Sequence, residues 1–491
     1  MAGKRRHIPA GLKHSVWGVL DAALYPAIYM AMVPMMILGL GTEAFGLWIV
    51  LNTLMTTLQL FNLNIGLTTV KQLAACAGRK DYEGTNRMLS AILTVTISLL
   101  LLVTLIGGVI SLVQPRWNFL GIGAATAGNV TACILLSALI TGLKYLDQVF
   151  QSVLKGHELF RLAAILNLVN RCGLLLLNVL LAISGASIIT LLFANLVYTI
   201  VYLLIHWLFI RRSLSFIRFS LRPRREEIGA VLSFSVWPWL QSIIVVIAFQ
   251  TDRFWVSSHS GLEAVSAYGL VATMFNHIHM IFIAMAAWIL PRISGMVEQG
   301  DNPGEIYGQV RGLLFAVVVS GLLLFYYASP FLFRVWVGAP MAATMAPYIK
   351  AFTVFELLFA YTIMPFFYLN ASGHERKAAA ITLLYSAVCY LFMIGGLKLF
   401  GSPEYMVHCM SLSFCLTMPV VNYLVRKNLN GYAAWGEVLV EMSPVYLAVL
   451  VIYMPHLWMS LLALPIVAVL LYQYYLSPVI EQRLWKPSAK L

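Results

Sequence analysis

Residues 211–225 read RRSLSFIRFSLRPRR, and this basic segment divides an otherwise apolar chain. It carries six arginines in fifteen residues and is flanked by long hydrophobic runs on both sides. A charge run of this kind is typical of a solvated loop that fixes the orientation of membrane helices. We therefore interpret it as a cytoplasmic connection between two related bundles of membrane-spanning helices.

The composition indicates that lipid is the solvent of this chain. Of its 491 residues, 61% are hydrophobic and 10% are charged, and the mean hydropathy is +0.85. A soluble domain is about 45–50% apolar and about 25% charged. A hydrocarbon layer about 30 Å thick requires about 20 apolar residues per spanning helix, and the apolar runs reach that length. The sequence therefore predicts an all-α polytopic membrane protein, because such runs are too long for barrel strands.

The apolar runs predict about fourteen transmembrane helices, at residues 15–39, 46–69, 88–113, 121–143, 162–183, 186–210, 228–248, 263–290, 311–333, 345–369, 379–399, 404–424, 437–454 and 457–476. If the N-terminus and every second loop are cytoplasmic, 26 of the 32 lysines and arginines fall on the cytoplasmic side. This alternation satisfies the positive-inside rule. We therefore expect a multi-pass protein with both termini in the cytoplasm, whose first helix is not a cleaved signal peptide.

Matching residues recur at a fixed distance along the two halves of the chain. At an offset of 220, Ser15-Val16-Trp17 matches Ser235-Val236-Trp237, and the positions of Gly41 and Asp81 match glycine and aspartate again. Further on, Gly156-His157-Glu158 recurs as Gly373-His374-Glu375, at an offset of 217. These ordered matches predict a duplication of six helices.

The duplication predicts two pseudo-symmetric six-helix bundles followed by an extra helix pair. The expected divisions are an N-terminal bundle at 1–210, a basic linker at 211–227, a C-terminal bundle at 228–425, and a helix pair with a cytoplasmic tail at 426–491. Because six is even, both repeats enter the membrane from the same side. Transporters built from such repeats bind their substrate between the halves, near the bilayer midplane.

Several classes of function are disfavoured by the sequence. The net charge of +13 is spread over short loops, which suits contact with anionic lipid headgroups rather than nucleic acid. The six cysteines lack metal-type spacing, and no phosphate-binding Gly-Lys-Ser/Thr loop is present. The longest predicted external loop, at 249–262, is too short for a catalytic domain. We therefore expect no catalytic residues, no metal, no cofactor and no enzymatic activity.

Arg171 lies near the middle of the fifth predicted helix, with Asn167 and Asn178 on the same helical face. An ionisable group inside the membrane marks a functional site unless a partner neutralises it. The planar guanidinium group suits phosphate, so anion contact is one hypothesis. The other is an internal ion pair, with Asp21 or Glu356 as the partner.

Asp21 and Gln241 occupy equivalent positions of the two repeats, in the first and seventh predicted helices. One hypothesis is an ion or proton site that couples transport to a gradient, and the other is a structural carboxylate. In the tenth predicted helix, Lys350 and Glu356 lie six residues apart and need not pair. A place on the substrate path and a place in a structural ion pair remain alternatives for these two residues, and Glu356 is also a candidate for ion coupling.

The eighth predicted helix carries Asn276, His277 and His279, and the equivalent positions of the second helix are also polar. A polar patch at one place in both repeats suggests a cavity. The histidines could titrate near neutral pH, although a neutral, hydrogen-bonded histidine is the commoner case.

A first helix with a polar residue near its start is followed by Gly41-Thr42-Glu43-Ala44-Phe45-Gly46-Leu47-Trp48, then by Leu63-Asn64-Ile65-Gly66-Leu67 and the basic loop 71–87. This pattern resembles the polysaccharide flippases of the multidrug/oligosaccharidyl-lipid/polysaccharide exporter superfamily, of the O-antigen type. The resemblance covers essentially the whole chain, since fourteen helices, a duplication of six and a C-terminal pair fit that family.

The resemblance implies two helical lobes around a central cavity and alternating access. It implies that an undecaprenyl-diphosphate-linked oligosaccharide crosses the bacterial inner membrane for cell-surface polysaccharide synthesis, with Arg171 and Lys350 as the cavity cations. Membrane lipids are expected partners, and a glycan polymerase and chain-length machinery are further candidates. The alternative is a multidrug or cation antiporter of the same fold.

Overall fold

The structure is a computed structural model that describes residues 28–63, 65–118, 120–122, 127–218, 220–221, 223–431, 433–454 and 465–472. All regular secondary structure within these ranges is helical. The prediction of an all-α fold is therefore confirmed.

The first half of the chain forms a series of mostly long helices: α1 (Ile28–Leu40), α2 (Thr42–Leu58) with a 3-10 turn at Gln59–Asn62, α3 (Ile65–Gly78), α4 (Tyr82–Trp117), α5 (Ala127–Gly156), α6 (Phe160–Ile183) and α7 (Ile188–Ser213). The second half forms α8 (Arg225–Gln250), α9 (Asp252–Ala286), α10 (Ile289–Glu298), α11 (Gly304–Val337), α12 (Ala339–Phe359) with a 3-10 turn at Ala360–Thr362, α13 (Ile363–Ala371), α14 (Glu375–Phe400), α15 (Pro403–Asn430) and α16 (Trp435–Tyr453).

Eleven helical segments among the described residues are long and apolar enough to cross a membrane. The chain is therefore a multi-pass membrane protein, whereas the number fourteen stays a prediction. Two predicted boundaries are wrong. The fourth predicted helix was expected to end at residue 143, but α5 continues to Gly156. The predicted external loop at 249–262 is helical from Asp252 onward.

The described residues form two compact units, Met1–Gly269 and Leu270–Leu491. In the first unit, α5 packs against α2, α3, α4, α6 and α7. In the second unit, α12 packs against α11, α15 and α16, and α14 packs against α15. The division of the sequence into bundles at residues 210 and 228 concerns the repeats and stays a prediction.

The backbone repeats along with the sequence. Gly41 (φ 79°, ψ 166°) and Gly261 (φ 82°, ψ 176°) adopt the same conformation, 220 residues apart. Each interrupts a helix at a point where only glycine accepts this backbone geometry without strain. Gly41 separates α1 from α2, and Gly261 kinks α9. The glycine matches found in the sequence therefore mark equivalent breaks in two equivalent helices.

A second pair of equivalent turns follows. The amide of Asp81 donates to the carbonyl of Cys76 at 3.0 Å, and the amide of Asp301 donates to the carbonyl of Met296 at 2.9 Å. Asp81 then caps α4, because its Oδ1 accepts a hydrogen bond from the Gly84 amide at 2.7 Å. The offset of 220 thus holds from the first glycine break to the start of α4 and α11.

The sequence match between Gly156-His157-Glu158 and Gly373-His374-Glu375 differs by two residues from the structural equivalence of the two turns. The amide of Leu159 donates to the carbonyl of Leu154 at 2.9 Å, and the equivalent bond joins His374 to Leu369 at 2.8 Å. The structural offset here is therefore 215, and the two histidines are not equivalent. A short helix-ending turn constrains backbone geometry more than side-chain identity, so the triplet recurs without marking equivalent positions.

The two repeats touch each other inside the first unit, and the contact is itself symmetric. A side chain at Gly46 in α2 would collide with the carbonyl of Leu262 in α9. Conversely, the Ser266 hydroxyl in α9 donates to the carbonyl of Thr42 in α2. At the offset of 220, Gly46 is equivalent to Ser266, and Thr42 is equivalent to Leu262. Each helix therefore places a small residue against the equivalent backbone carbonyl of the other helix. This contact lies at the predicted external ends of α2 and α9.

Candidate functional sites

Two of the predicted site residues form a buried pair in the second unit. His279 Nδ1, in α9, lies 2.8 Å from Glu356 Oε1, in α12. Only 9% of His279 and 2% of Glu356 are exposed. The His279 ring stacks on Phe359, with ring centroids 4.3 Å apart and an interplanar angle of 17°. A carboxylate accepts the Nδ1 proton in this arrangement, so the histidine is hydrogen-bonded as well as buried.

The other polar residues of this patch have different surroundings. Asn276 is exposed and His277 is half-buried. The Glu356 carboxylate contacts His279. The patch predicted on the eighth helix therefore contains one buried acid–base pair and two more accessible polar residues.

Lys350 belongs to a second polar cluster in the same unit. Its Nζ lies 4.8 Å from the centre of the Tyr453 ring, in α16. The Tyr453 hydroxyl lies 2.6 Å from His408 Nδ1, and His408 Nε2 lies 3.6 Å from Glu404 Oε1. This cluster joins α12, α15 and α16 at their predicted external ends. Lys350 and Glu356, left open as a pair by the sequence, instead have different partners.

In the first unit, Arg171 lies midway along α6 and is exposed. Asn167, one turn earlier, is half-buried. Asn178 is 4% exposed, and its Oδ1 has no hydrogen-bond partner among the described residues. Arg171 thus places an accessible guanidinium near the middle of α6, with the unsatisfied Asn178 oxygen about two turns away. A common functional face for the three residues stays a prediction.

Two candidates for ion coupling are not described. Asp21 lies outside the described residues. Gln241 lies within α8, but its side chain is also outside what the structure describes. The predicted equivalence of these two polar positions stays a prediction.

The sequence missed a polar cluster on α5, because Lys144 and Asp147 were assigned to a cytoplasmic loop. Asp147 Oδ1 lies 3.0 Å from Nδ1 of His206 in α7, and His206 is completely buried. Gln151 Nε2 donates to the Tyr202 hydroxyl at 3.3 Å. Gln148 accepts from Asn62 Nδ2, at the end of α2. The available signal was the spacing of polar residues at 137, 141, 144, 148 and 151, which continues one helical face past residue 143.

The side chains of these sites include groups that bind polar solutes. No group of three or more histidine, cysteine or acidic residues lies at metal-binding spacing among the described residues. The sites instead combine single cations, amides and histidine–carboxylate pairs within spanning helices. Such groups bind anions, hydroxyl groups and protons.

Comparisons with solved structures define the class of fold. The chain is similar to the lipid II flippase MurJ in an inward closed conformation, with a TM-score of 0.67 and 10% identity, over 96% of this chain and 100% of that one. It is also similar to an inward-facing multidrug resistance MATE family transporter of the MOP superfamily, with a TM-score of 0.66 and 14% identity, over 84% of this chain and 98% of that one. The fold is therefore that of MATE and MurJ proteins.

The sequence identifies the family within that fold. The profile of the family described as "Polysaccharide biosynthesis protein" matches residues 19–297, and the chain belongs to this family. A Shigella flexneri protein named "Putative O-antigen transporter" is 19% identical over 399 residues, which is 80% of this chain and 93% of that protein. The resemblance to polysaccharide flippases is thus confirmed, and these relatives are named as transporters and flippases rather than enzymes.

Proposed function

We propose that this protein is a flippase that moves an undecaprenyl-diphosphate-linked oligosaccharide across the bacterial inner membrane by alternating access, for cell-surface or exopolysaccharide synthesis. The observation that carries the proposal is its membership of the polysaccharide biosynthesis family, together with a relative named for O-antigen transport. In this proposal both termini lie in the cytoplasm, and a glycan polymerase and chain-length machinery receive the product.

The charges inside the membrane support an anionic substrate. Arg171 is exposed halfway along a spanning helix, where a fixed positive charge is costly unless it has an anionic partner or water. Its planar guanidinium binds phosphate oxygens in pairs. Lys350 is half-buried and adds a second cation in the other unit. The oligosaccharide would use the polar faces, and the polyprenyl tail would stay in lipid.

Alternating access is supported by the symmetric contact between α2 and α9. Small residues meet backbone carbonyls there. Contacts of that kind let helices approach closely. The contact would close the external side in one state and open in the other.

A multidrug or cation antiporter is the second candidate. It is favoured by the buried Glu356 carboxylate, since a cationic solute or coupling ion requires an acidic group, and by the likeness to a MATE fold. The two candidates differ in substrate. Purified protein in vesicles that transports a cationic dye, and that leaves a lipid-linked oligosaccharide untouched, would establish the antiporter.

The test of the first candidate is transport of the lipid-linked glycan to the outer leaflet in cells that lack their own flippase. Arg171→Ala should lower transport by an order of magnitude or more, and Arg171→Lys should restore part of it, because charge returns without the planar fork. Arg161→Ala is the matched control, since Arg161 is exposed near the start of the same helix. Normal transport by Arg171→Ala at equal expression would remove Arg171 from the mechanism.

A further inference from the structure

The polar face of α5 contains a half-buried lysine, Lys144, in a helix where the sequence had predicted a loop. Lys144 lies twelve residues before the end of α5 at Gly156, roughly 18 Å along the helix at 1.5 Å per residue. That position is near the middle of α5, a helix long and apolar enough to cross a membrane. Lys144 is half-buried, although α5 is surrounded by five other helices of its unit. Lys144 therefore lies within a spanning helix that packs against the rest of its unit, and not in a loop.

The ammonium group of Lys144 makes no hydrogen bond and no close ion pair among the described residues. The charged group that acts on it is Asp147, one turn further along α5, and Asp147 Oδ1 is in contact with His206 at 3.0 Å. The three N–H donors of Lys144 therefore remain for an anionic oxygen.

Three buried polar atoms in this cluster have no hydrogen-bond partner among the described residues. They are Asn62 Oδ1, Gln151 Oε1 and His206 Nε2, and their residues are 5%, 7% and 0% exposed. In the tautomer that donates Nδ1–H to Asp147 and carries no proton on Nε2, Nε2 of His206 is an acceptor, and the other two atoms are amide oxygens. All three atoms therefore require a donor. A buried unsatisfied polar group calls for an explanation such as a bound water, ion or ligand, and here three such atoms occur in one cluster.

We propose that this face of α5 binds a phosphorylated sugar, with phosphate on Lys144 and sugar hydroxyls donating to Asn62, Gln151 and His206. A sugar phosphate supplies both of the missing partners, because its phosphate is an anionic acceptor and its hydroxyls are donors. The site rests on the proposed flippase function, in which such a headgroup passes through the protein. The site would contribute substrate contacts from residues of the first unit other than Arg171.

The test is a binding titration of the full-length protein in phosphatidylcholine nanodiscs, with three soluble probes. UDP-N-acetylglucosamine carries a diphosphate and hydroxyls, inorganic pyrophosphate carries charge alone, and N-acetylglucosamine carries hydroxyls alone. Lys144→Gln should weaken binding of both phosphate probes by about tenfold or more, since it removes a charged hydrogen-bond donor. Lys144→Arg should retain most of it. Lys155→Gln, an exposed lysine of the same helix, should bind like the wild type.

Gln151→Ala separates the sugar from the phosphate. It should weaken UDP-N-acetylglucosamine and leave pyrophosphate unchanged, because Gln151 is assigned to a hydroxyl group. Equal affinities of wild type and Lys144→Gln would overturn the site, and so would equal losses in Lys144→Gln and Lys155→Gln. If phosphatidylglycerol in the nanodiscs abolishes binding of the sugar diphosphate, the site holds a membrane phospholipid and the sugar assignment is wrong.

Transport measured in parallel distinguishes this site from the proposed function. If wild type moves the lipid-linked glycan and Lys144→Gln moves it equally well, the site fails and the flippase function stands. If wild type does not move the glycan, the flippase function fails, and the probe titration still decides what α5 binds. Lys144→Arg also shows whether a loss arises from misfolding, since it preserves the charge and approximate length.

Discussion

Ile49 and Gly269 are equivalent residues of the two repeats, and they touch each other. A Cβ atom on Gly269 would lie 3.7 Å from the Ile49 Cβ and 2.6 Å from its Cγ2. Two equivalent positions can meet only where a pseudo-twofold axis passes between them. The contact of α2 with α9 inside the first unit is therefore built about a local pseudo-twofold axis.

This geometry predicts that a disulfide across the axis arrests transport. The separation of 3.7 Å matches the mean Cβ–Cβ distance of about 3.8 Å in disulfides. In a functional cysteine-free background, the double variant Ile49→Cys and Gly269→Cys should crosslink on oxidation and lose transport, and a reductant should restore it. Each single variant is a control. Crosslinking is read from a protease site placed between α7 and α8, because linked halves migrate together after cleavage.

Two results would count against this prediction. Full transport by the crosslinked protein would show that the contact does not open during the cycle. Failure of the two cysteines to crosslink would show that they do not meet in the membrane.

The pairing of His279 with Glu356 predicts a role in coupling. Glu356→Gln preserves the size of the side chain and removes its ionisable group, so transport should lose its dependence on the pH gradient. The measurement is glycan transport in vesicles with and without an imposed gradient. Glu305→Gln, at an exposed position in the first turn of α11, should behave like wild type. An unchanged gradient dependence in Glu356→Gln would make the pair structural.

Hydropathy predicts the helices well and predicts polar contacts inside the bundle poorly. A run of apolar residues reports lipid exposure, so the predicted fourth helix ended where Lys144, Asp147 and Gln148 begin. Those residues remain helical because neighbouring helices, and not lipid, surround that part of α5. The helical spacing of the polar residues indicates that α5 continues past residue 143. This spacing does not predict which side chains of other helices they contact.

The buried pair of the second unit illustrates the same limit. His279 and Glu356 were each recognisable in the sequence as polar residues within predicted helices. Their contact joins residues 77 positions apart, and it depends on the packing of α9 against α12. In contrast, Gly41 and Gly261 were matched correctly, since a positive φ angle restricts the residue type directly.

Cys76 provides a test of the predicted orientation. It lies near the end of α3, in a segment expected to face the cytoplasm. Burial raises the pKa of its thiol, and the nearby Asp81 carboxylate raises that pKa further. Only the thiolate reacts with maleimides, so a variant with Cys76 as its sole cysteine should react more slowly near neutral pH than an unstructured cysteine.

The reaction should occur in inside-out vesicles and not in intact spheroplasts treated with an impermeant reagent. Asp81→Asn retains a residue able to cap α4 and removes the charge, so the reaction should become faster at a given pH. Labelling of Cys76 in intact spheroplasts would reverse the predicted orientation.

Glu441 anchors α16 to the rest of the second unit, and its loss should destabilise the fold. Its carboxylate pairs with Arg311 of α11 and lies 3.4 Å from Nε of Arg426 in α15. The side chains of Arg311 and Glu441 are only 12% and 14% exposed. Removing one partner of this half-buried ion pair leaves a charged group with fewer hydrogen bonds, which costs about 1.5–3 kcal/mol. Glu441→Gln should therefore lower the free energy of unfolding by about 1.5–3 kcal/mol, measured by denaturant titration in detergent.

Glu437→Gln is the matched control in the same helix. Glu437 lies 2.6 Å from Arg426 but is 57% exposed, so its loss should cost about 1 kcal/mol or less. Equal effects of the two variants would mean that burial does not set the strength of this network.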